Sequence, residues 1–378
     1  MPDLVITNAN IVLGDEVVHG SLAIRDGRIA AFDHGTVSHG EDFGGDYLIP
    51  GLVELHTDHF ENHYRPRPGV TWNATAALQA HDAQIAGAGI TTVFDAVRIG
   101  SDPENPDMAE DVAAQVGAIE AANGEERLRA EHLVHLRCEL PSYDCYDHFA
   151  AHCARPVVRL ASVMDHTPGA RQYTTLEHYI VYYQKKLRLN DAEMAAFIRE
   201  RQAEQVKYSD ANRQAILARG REVGLAFASH DDATVAHVEE ALRDGVVIAE
   251  FPTTLDAATA AHAGGLAVLM GAPNVVRGGS HNGNISAGDL AREGVLDVLS
   301  SDYVPFALLL AGFLLPERVE GISLPQAIRT VTANPARAAR LDDRGEIAPG
   351  KRADLVRVRM MNGTPVVRSV WREGQRVN

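Results

Sequence analysis

The feature that most constrains the fold of this chain is a series of apolar segments that alternate with segments rich in Ala and Glu. The apolar segments are also rich in β-branched residues. We predict eight strands, at residues 48–58, 91–97, 131–140, 157–166, 225–232, 246–252, 267–273 and 297–303. Continuous apolar strands that alternate with helices are typical of a parallel sheet buried on both faces.

Eight strands over this length predict an α/β fold, a TIM-type (β/α)8 barrel, with a doubly wound open sheet as the alternative. The two ends of the chain have a different pattern, in which short alternating strands are joined by turns such as Asp26-Gly27. We therefore expect a small β-sandwich built from residues 1–50 plus 340–378, and a barrel domain over residues 51–339.

A segment at about 170–222 interrupts this alternation and is rich in Tyr, Gln, Lys and Arg. We expect it to form a helical insertion that lies over the mouth of the barrel. An enlarged pair of barrel helices without contact to the substrate is an equal alternative.

Composition and charge limit the partners and the location of the chain. A net charge of −16 argues against a nucleic-acid partner, and the longest apolar runs are too short to span a membrane. A small anionic substrate remains compatible, because charge is screened within about 8 Å at physiological salt. Cys138, Cys145 and Cys153 form an odd set without zinc-pair spacing, which favours reduced thiols in the cytoplasm. A homodimer is expected only because symmetric dimers are the most common oligomers of soluble proteins.

Side chains able to bind a metal recur at the carboxyl ends of the predicted strands. In a barrel these ends meet on one face, where active sites lie. A single histidine at a strand end is usually structural, whereas six donors in equivalent positions predict a metal centre. The predicted ligands are His56, Asp58, Glu139, His166, His230 and Asp302.

The mixture of imidazoles and carboxylates suits Zn²⁺, with Mn²⁺ or Fe²⁺ as alternatives. One tetrahedral zinc ion takes four ligands, so six donors could bind either one ion or two. With two ions, Glu139 would bridge them. Such a site would make hydroxide available near neutral pH, and Asp302 is the predicted catalytic base. His59 follows Asp58 directly, and an alternative register would make His59 the ligand.

Three motifs resemble the amidohydrolase superfamily. They are PGLVELHTD at residues 50–58, Ser301-Asp302, and TANPARAARLDDRGEIAPGKRADLV at residues 332–356. Asp58 stands where the commoner His-x-His motif of that family has its second histidine. The resemblance implies a metal-dependent hydrolase.

Further segments resemble one branch of that family, the diphosphatases of the carbon–phosphorus lyase pathway of phosphonate use. These segments include VHLRCELP at 134–141, FASHDDATVAHV at 227–238 and GAPNVVRGGSH at 271–281. The resemblance implies hydrolysis of α-D-ribose 1-methylphosphonate 5-triphosphate to the 5-phosphate and pyrophosphate. The expected partner is thus a small anionic sugar phosphate.

Basic and glycine-rich segments after the strands offer places for a triphosphate. Glycines allow backbone N–H groups to approach anionic oxygens, and prolines around two arginines limit their motion. Asp231 could orient His230 or bind ribose hydroxyls. Asp95 and Glu250 could hydrogen-bond to the metal ligands and so orient them. The predicted substrate-binding residues are Arg65, Arg67, Arg171, Asp231, Arg277, Gly278, Gly279 and His281.

Two other functions remain open from the sequence. An amidohydrolase that cleaves a C–N bond, such as a deaminase, a deacetylase or a cyclic amidase, would use the same metal centre without a polyphosphate pocket. A non-enzymatic scaffold that has lost its metal is the second alternative, although all six ligand positions here carry suitable side chains.

Overall fold

The structure is a computed structural model that describes residues 3–101, 108–171, 176–280 and 283–378. The predicted substrate residue His281 lies outside the described residues. The chain divides into two compact units. One unit comprises Met1–Asp95, Ala121–Leu133 and Met270–Asn378, and the other comprises Ala96–Glu120 and Val134–Leu269.

Both ends of the chain contribute to one eight-stranded, mostly antiparallel sheet. Its order is β16-β15-β14-β5-β1-β2-β3, with β4 beside β1. The prediction that both chain ends build one small β-structure is therefore confirmed. Its strands are Leu4–Val12 (β1), Val17–Arg25 (β2), Arg28–His34 (β3), Glu41–Asp42 (β4), Tyr47–Pro50 (β5), Leu355–Met361 (β14), Thr364–Arg372 (β15) and Gln375–Arg376 (β16).

The two chain ends meet at β5, which pairs with β1 on one side and with β14 on the other. Aromatic packing supports this junction, since the rings of Phe43 and Trp371 stack at 5.8 Å between centroids. The buried carboxylate of Asp46 accepts hydrogen bonds from Arg357 and Arg359 of β14 at 2.6–2.8 Å. Apolar and charged contacts thus both join the first 50 residues to the last strands of the chain.

The second sheet contains eight strands in chain order, from β6 to β13. Thr57 and Asp302 form a parallel bridge between the end of the first strand and the residues after the last one. An open doubly wound sheet has no such bridge, and the predicted (β/α)8 barrel is confirmed. Its strands are Leu52–Thr57 (β6), Ile90–Ile99 (β7), Glu131–Glu139 (β8), Val158–Met164 (β9), Ala226–His230 (β10), Ile248–Glu250 (β11), Ala267–Gly271 (β12) and Val298–Ser300 (β13).

Helices occupy the segments between these strands and after the last one. None of the described helices combines the length and the apolar character that a membrane span requires. The helices are His59–Tyr64 (α1), Ala74–Gly87 (α2), Met108–Gly124 (α3), Cys145–His152 (α4), Leu176–Leu187 (α5), Asp191–Glu222 (α6), Val235–Arg243 (α7), Leu255–Ala263 (α8), Ala272–Arg277 (α9), Ala287–Arg292 (α10), Phe306–Arg318 (α11), Leu324–Arg329 (α12) and Ala333–Ala338 (α13).

The segment predicted as one strand over residues 48–58 is divided at Gly51. Residues before Gly51 belong to β5 of the small sheet, and those after it form β6 of the barrel. A Cβ atom on Gly51 would lie 2.2 Å from the hydroxyl oxygen of Thr91. A side chain is therefore excluded at the point where the chain passes from one sheet to the other.

The segment at 170–222 forms α5 and α6, with residues 172–175 outside the described part. The amide of Asn212 in α6 donates to the carbonyls of Leu140 and Ser142, each at 2.8 Å. Gln205 donates to the carboxylate of Asp165 at 2.7 Å. The long helix α6 therefore reaches the loops that follow β8 and β9, where predicted ligands lie.

Substitution of Gly51 by Ala tests the close approach at the strand junction. We expect Gly51→Ala to lower the free energy of unfolding by about 1–3 kcal/mol, because the new methyl group overlaps Thr91. Gly14→Ala is the matched control, since a Cβ there meets nothing within 4 Å. Chemical denaturation of both variants measures the effect, and equal stability of the two would contradict it.

A charged cluster connects β8 with the segment before β14. One carboxylate oxygen of Glu131 accepts hydrogen bonds from Arg344 at 2.5 Å and from Arg352 at 2.7 Å. Although burial alone raises it, the pKa of Glu131 lies below its ordinary value because both guanidiniums favour the ionised form. A carboxylate with a lowered pKa stabilises the fold above its unfolded pKa and loses this effect as the pH falls.

Glu131→Gln is expected to cost about 1–3 kcal/mol of stability at neutral pH, the range for hydrogen bonds to charged groups. The difference from wild type should narrow as the pH falls below the ordinary glutamate value of 4.5. Urea titrations across this pH range measure it, with the exposed Glu317→Gln as control. A difference that does not depend on pH would show that the charge of Glu131 does not stabilise the fold.

Candidate metal centre

In the first unit, three predicted ligands lie at the joined ends of β6 and β13. The hydroxyl of Thr57, between His56 and Asp58, donates to the carbonyl of Asp302 at 2.7 Å. The amide of Asp302 donates in turn to the carbonyl of His56 at 3.2 Å. These bonds hold the backbone of all three predicted ligands in one place.

Glu54 supports the same junction from within the barrel. It is fully buried and accepts hydrogen bonds from the amide of His56 and the hydroxyl of Ser300, both at 2.6 Å. The amide of Ser301 donates to its other oxygen. Burial raises the pKa of Glu54 to about 7. The sequence analysis did not single out Glu54, because its position inside β6 gives no signal of a functional role.

Two aspartates at strand ends have an uncommon backbone conformation. Asp302 after β13 has φ of +56°, and Asp231 after β10 has φ of +55°. Left-handed backbone is tolerated by aspartate better than by most residues, yet it costs free energy of the order of 1 kcal/mol or more. Such conformations cluster at functional sites, which is consistent with the prediction for Asp302.

In the second unit, Glu139 and His166 form a tight pair. One oxygen of Glu139 accepts from the amide of His166 at 2.9 Å, and the other lies 2.5 Å from its Nδ1. Burial alone would raise the pKa of Glu139. The neighbouring His166 and Arg98 favour the carboxylate and lower this pKa to about 2. Glu139 thus fixes the ring of His166 and leaves its Nε2 on the opposite side of the ring.

His230 is oriented in the same manner by Glu250. Its Nδ1 lies 3.2 Å from a carboxylate oxygen of Glu250, whose other oxygen is 3.7 Å from Nδ1 of His135. Burial lowers the pKa of His230 to about 3, so its ring is neutral and able to bind a metal through Nε2. The contact of Glu250 with His230 is observed, while the support of a metal ligand by Glu250 stays a prediction. His135 is a further residue there that the sequence analysis did not identify.

Asp231 lies between these two histidines. One of its carboxylate oxygens, Oδ2, is 3.7 Å from Nε2 of His166 and 3.7 Å from Nε2 of His230. That oxygen is buried and has no hydrogen-bond partner among the described residues. Burial raises the pKa of Asp231 to about 7. The sequence analysis offered Asp231 either as a substrate-binding residue or as a residue that orients His230, and the structure places it against His230 and His166, two predicted metal ligands.

The donor set of the second unit fits a divalent ion. Ligand atoms around a tetrahedral zinc lie about 3.3–3.6 Å apart, because each bond measures about 2.0–2.2 Å. The two spacings of 3.7 Å from Oδ2 of Asp231 to the Nε2 atoms of His166 and His230 are close to this value. An unpartnered buried carboxylate oxygen facing two imidazole nitrogens is the arrangement that a cation would complete.

A cavity of about 40 Å³ opens beside Glu139 and His166. Arg98 enters it from the end of β7, with one nitrogen 3.7 Å from Glu139. Arg98 follows the predicted second strand directly. A search for polar side chains at the carboxyl ends of the strands could therefore have identified it. The insertion contributes Tyr179, Tyr183, Phe197 and Arg201 to the wall, and no sequence pattern predicted these contacts.

The predicted substrate residues occupy different surroundings. Arg65 is half-buried at the end of α1, and Arg67 and Arg277 are exposed. The guanidinium of Arg171 is paired with Asp232 and with Glu240. Its charge is therefore compensated within the protein.

Gly278 and Gly279 end helix α9 rather than forming an open loop. Gly278 has φ of +81°, and the amides of both glycines donate to the carbonyl of Asn274, at 3.1 and 3.0 Å. The expected approach of these two amides to an anion would require those bonds to open. A role of this segment in binding phosphate stays a prediction.

The alternative register for the first metal motif places His59 in other surroundings. His59 is the first residue of α1, and its Nδ1 lies 3.1 Å from Nδ1 of His81 in α2. Asp95, expected as a support for ligands, contacts His81 and His132 instead, each at 2.7 Å. These groups form a second histidine cluster in the first unit.

Comparison with known proteins places this site in context. A family model described as "Amidohydrolase family" matches residues 73–377. The α-D-ribose 1-methylphosphonate 5-triphosphate diphosphatase of Escherichia coli strain K12 is 46% identical over 377 residues, which cover 99% of this chain and 100% of that protein. An imidazolonepropionase of Streptomyces griseus is 42% identical over 82 residues, 20% of each chain.

Solved structures with the same fold have little sequence identity to this chain. N-isopropylammelide isopropylaminohydrolase of Burkholderia multivorans superposes with a TM-score of 0.68 at 18% identity, covering 100% of this chain and 98% of that one. N-acetyl-D-glucosamine-6-phosphate deacetylase of Mycobacterium smegmatis gives 0.63 at 17% identity, covering 99% and 100%. At such identities the likeness extends to the fold alone.

Proposed function

The chain is a hydrolase that belongs to the amidohydrolase family, and we propose that it hydrolyses α-D-ribose 1-methylphosphonate 5-triphosphate to the 5-phosphate and pyrophosphate. The full-length similarity to the Escherichia coli diphosphatase supports the choice of substrate. The observation that carries the hydrolytic chemistry is the cluster of His166, His230 and Asp231, beside a cavity that contains Arg98 and Arg201.

The metal centre of this proposal uses the predicted ligands at the strand ends. The carboxyl ends of the strands of a barrel lie on one face, and five of these ends carry the six predicted ligands. When bound, a divalent ion, Zn²⁺ or alternatively Mn²⁺ or Fe²⁺, supplies Lewis-acid activation of a water and of the phosphoryl group. One or two ions would be held by His56, Asp58, Glu139, His166, His230 and Asp302.

The residues of this chain would then guide the displacement at the α-phosphorus. A water oxygen forms a bond to phosphorus, its proton passes to the carboxylate of Asp302, and the bond to the β-phosphate oxygen breaks. Pyrophosphate leaves with that electron pair. Glu250 and Glu139 keep His230 and His166 in the orientation required for binding a metal.

Arginines and polar groups around the centre would bind the triphosphate. Arg98 and Arg201 line the cavity, where Arg98 lies 3.7 Å from Glu139 and Arg201 pairs with Glu204 at 2.5 Å. Both guanidiniums and the tyrosine hydroxyls can donate to phosphoryl oxygens. The segments predicted from the sequence remain part of this proposal, as do Asp231 as a binding residue and the cytoplasmic location. The buried free thiols at Cys138, Cys145 and Cys153 are consistent with that location. The predicted segments contribute Arg65, Arg67, Arg171, Arg277, Gly278, Gly279 and His281.

The first experiment is turnover of the named substrate by metal-loaded protein, followed by phosphorus NMR. We expect pyrophosphate and the 5-phosphate, with a rate lowered about 10²–10⁴-fold in Asp302→Asn because a general base is lost. Asp210→Asn, an exposed residue of α6, is the matched control and should keep the wild-type rate.

Absence of turnover by folded, metal-loaded protein would refute the diphosphatase proposal. Amide, cyclic-imide and amine substrates would then be tested, because the fold also occurs in enzymes that act on C–N bonds.

Arg201 tests the contribution of the insertion to substrate binding. We expect Arg201→Gln to raise KM about 10-fold, equivalent to about 1.4 kcal/mol, with a smaller effect on kcat. Arg199→Gln on the same helix is the control, since Arg199 is exposed and does not line the cavity. Steady-state kinetics of the two variants provide the measurement. Equal KM values would remove Arg201 from the substrate site.

A further inference from the structure

Three histidines from two neighbouring helices meet in the first unit, and none of them is among the proposed hydrolytic ligands. His59 and His63 lie one turn apart on α1, so they occupy the same face of that helix. His81 comes from α2. The ring centroid of His59 lies 5.0 Å from that of His63 and 5.3 Å from that of His81.

The nitrogen atoms of these three rings lie close to one another. One nitrogen from each ring lies within 4.8 Å of the others. Nδ1 of His59 and Nδ1 of His81 are 3.1 Å apart, whereas two imidazole nitrogens on a tetrahedral zinc are about 3.3 Å apart. Small movements of the three rings would therefore place their nitrogens at bonding distance from one ion.

A buried carboxylate orients the innermost ring. Asp95 accepts from Nε2 of His81 at 2.7 Å, and its other oxygen lies 2.7 Å from Nδ1 of His132. His81, Asp95 and His132 have no solvent-accessible surface. With Nε2 of His81 donating to Asp95, the lone pair of Nδ1 faces His59. A carboxylate behind a histidine is the usual companion of a metal-bound imidazole.

The third ring offers an unused nitrogen. Nε2 of His63 is buried and has no hydrogen-bond partner among the described residues. Burial of a polar atom without a partner costs free energy, which a bound ion would offset. This atom is an independent sign of a missing ligand, in addition to the spacing of the cluster.

We propose that His59, His63 and His81 bind a divalent transition metal at a site separate from the hydrolytic centre. A set of imidazole donors alone suits Zn²⁺, Co²⁺, Ni²⁺ or Cu²⁺ rather than Mg²⁺ or Ca²⁺. The fourth position would be filled by water. The ion would join α1 to α2 and so fix the helix that begins directly after Asp58.

The test counts metal ions in wild type, His63→Gln and His39→Gln after removal of all metal with a chelator. His63 lies outside the proposed catalytic groups, and His39 is an exposed control in the same unit. Each protein is titrated with Co²⁺, and the ligand-field absorption and the bound equivalents are recorded. We expect wild type and His39→Gln to bind one equivalent more than His63→Gln.

Equal stoichiometry and equal spectra in wild type and His63→Gln would overturn the proposal and leave a hydrogen-bonded histidine cluster without metal. Circular dichroism of the metal-free proteins establishes that the variants are folded, and His59→Asn serves as a second variant with the same expected loss. The count does not depend on turnover. A failure of the diphosphatase proposal would therefore not change the metal count. Likewise, equal metal counts would not change the result of the turnover assay.

Discussion

A carboxyl group without access to solvent joins the first and last strands of the barrel. Glu54 accepts hydrogen bonds from residues of both strand ends, and Thr57 adds a bond to the carbonyl of Asp302. A buried polar group left unpaired costs about 1–3 kcal/mol, so Glu54 and the strand ends depend on each other. The predicted ligands His56, Asp58 and Asp302 lie at this junction. Their backbone positions are therefore set before any ligand binds.

Carboxylates in the second unit have two distinct electrostatic states. Glu139 contacts an imidazole and Arg98, which hold its pKa near 2, whereas burial raises the pKa of Asp231 to about 7. Glu139 is thus an ionised acceptor that orients His166. Asp231 has an unpaired oxygen that faces His166 and His230. A cation near these groups would favour the ionised form of Asp231 as well.

The helices of the segment at 170–222 both contact the strand ends and line a cavity. Asn212 of α6 bonds to carbonyls of the loop after β8, so the helix is attached to the strand ends. Its first half brings Phe197 and Arg201 to the cavity beside Glu139. The segment is therefore attached to the strand ends and lines the cavity next to predicted ligands, while its contact with a substrate stays a prediction.

The sequence by itself determined the barrel, the small sheet from both ends, and the strand-end positions of residues such as His230 and Asp302. These features follow from local patterns, since a strand and its last residue are defined by neighbours along the chain. Only the tertiary structure decided that Asp231 faces two histidines, that Arg201 reaches the cavity, and that His81 meets His59. Each of these contacts joins side chains whose separation depends on how helices and loops pack, and hydrophobic periodicity does not encode that distance.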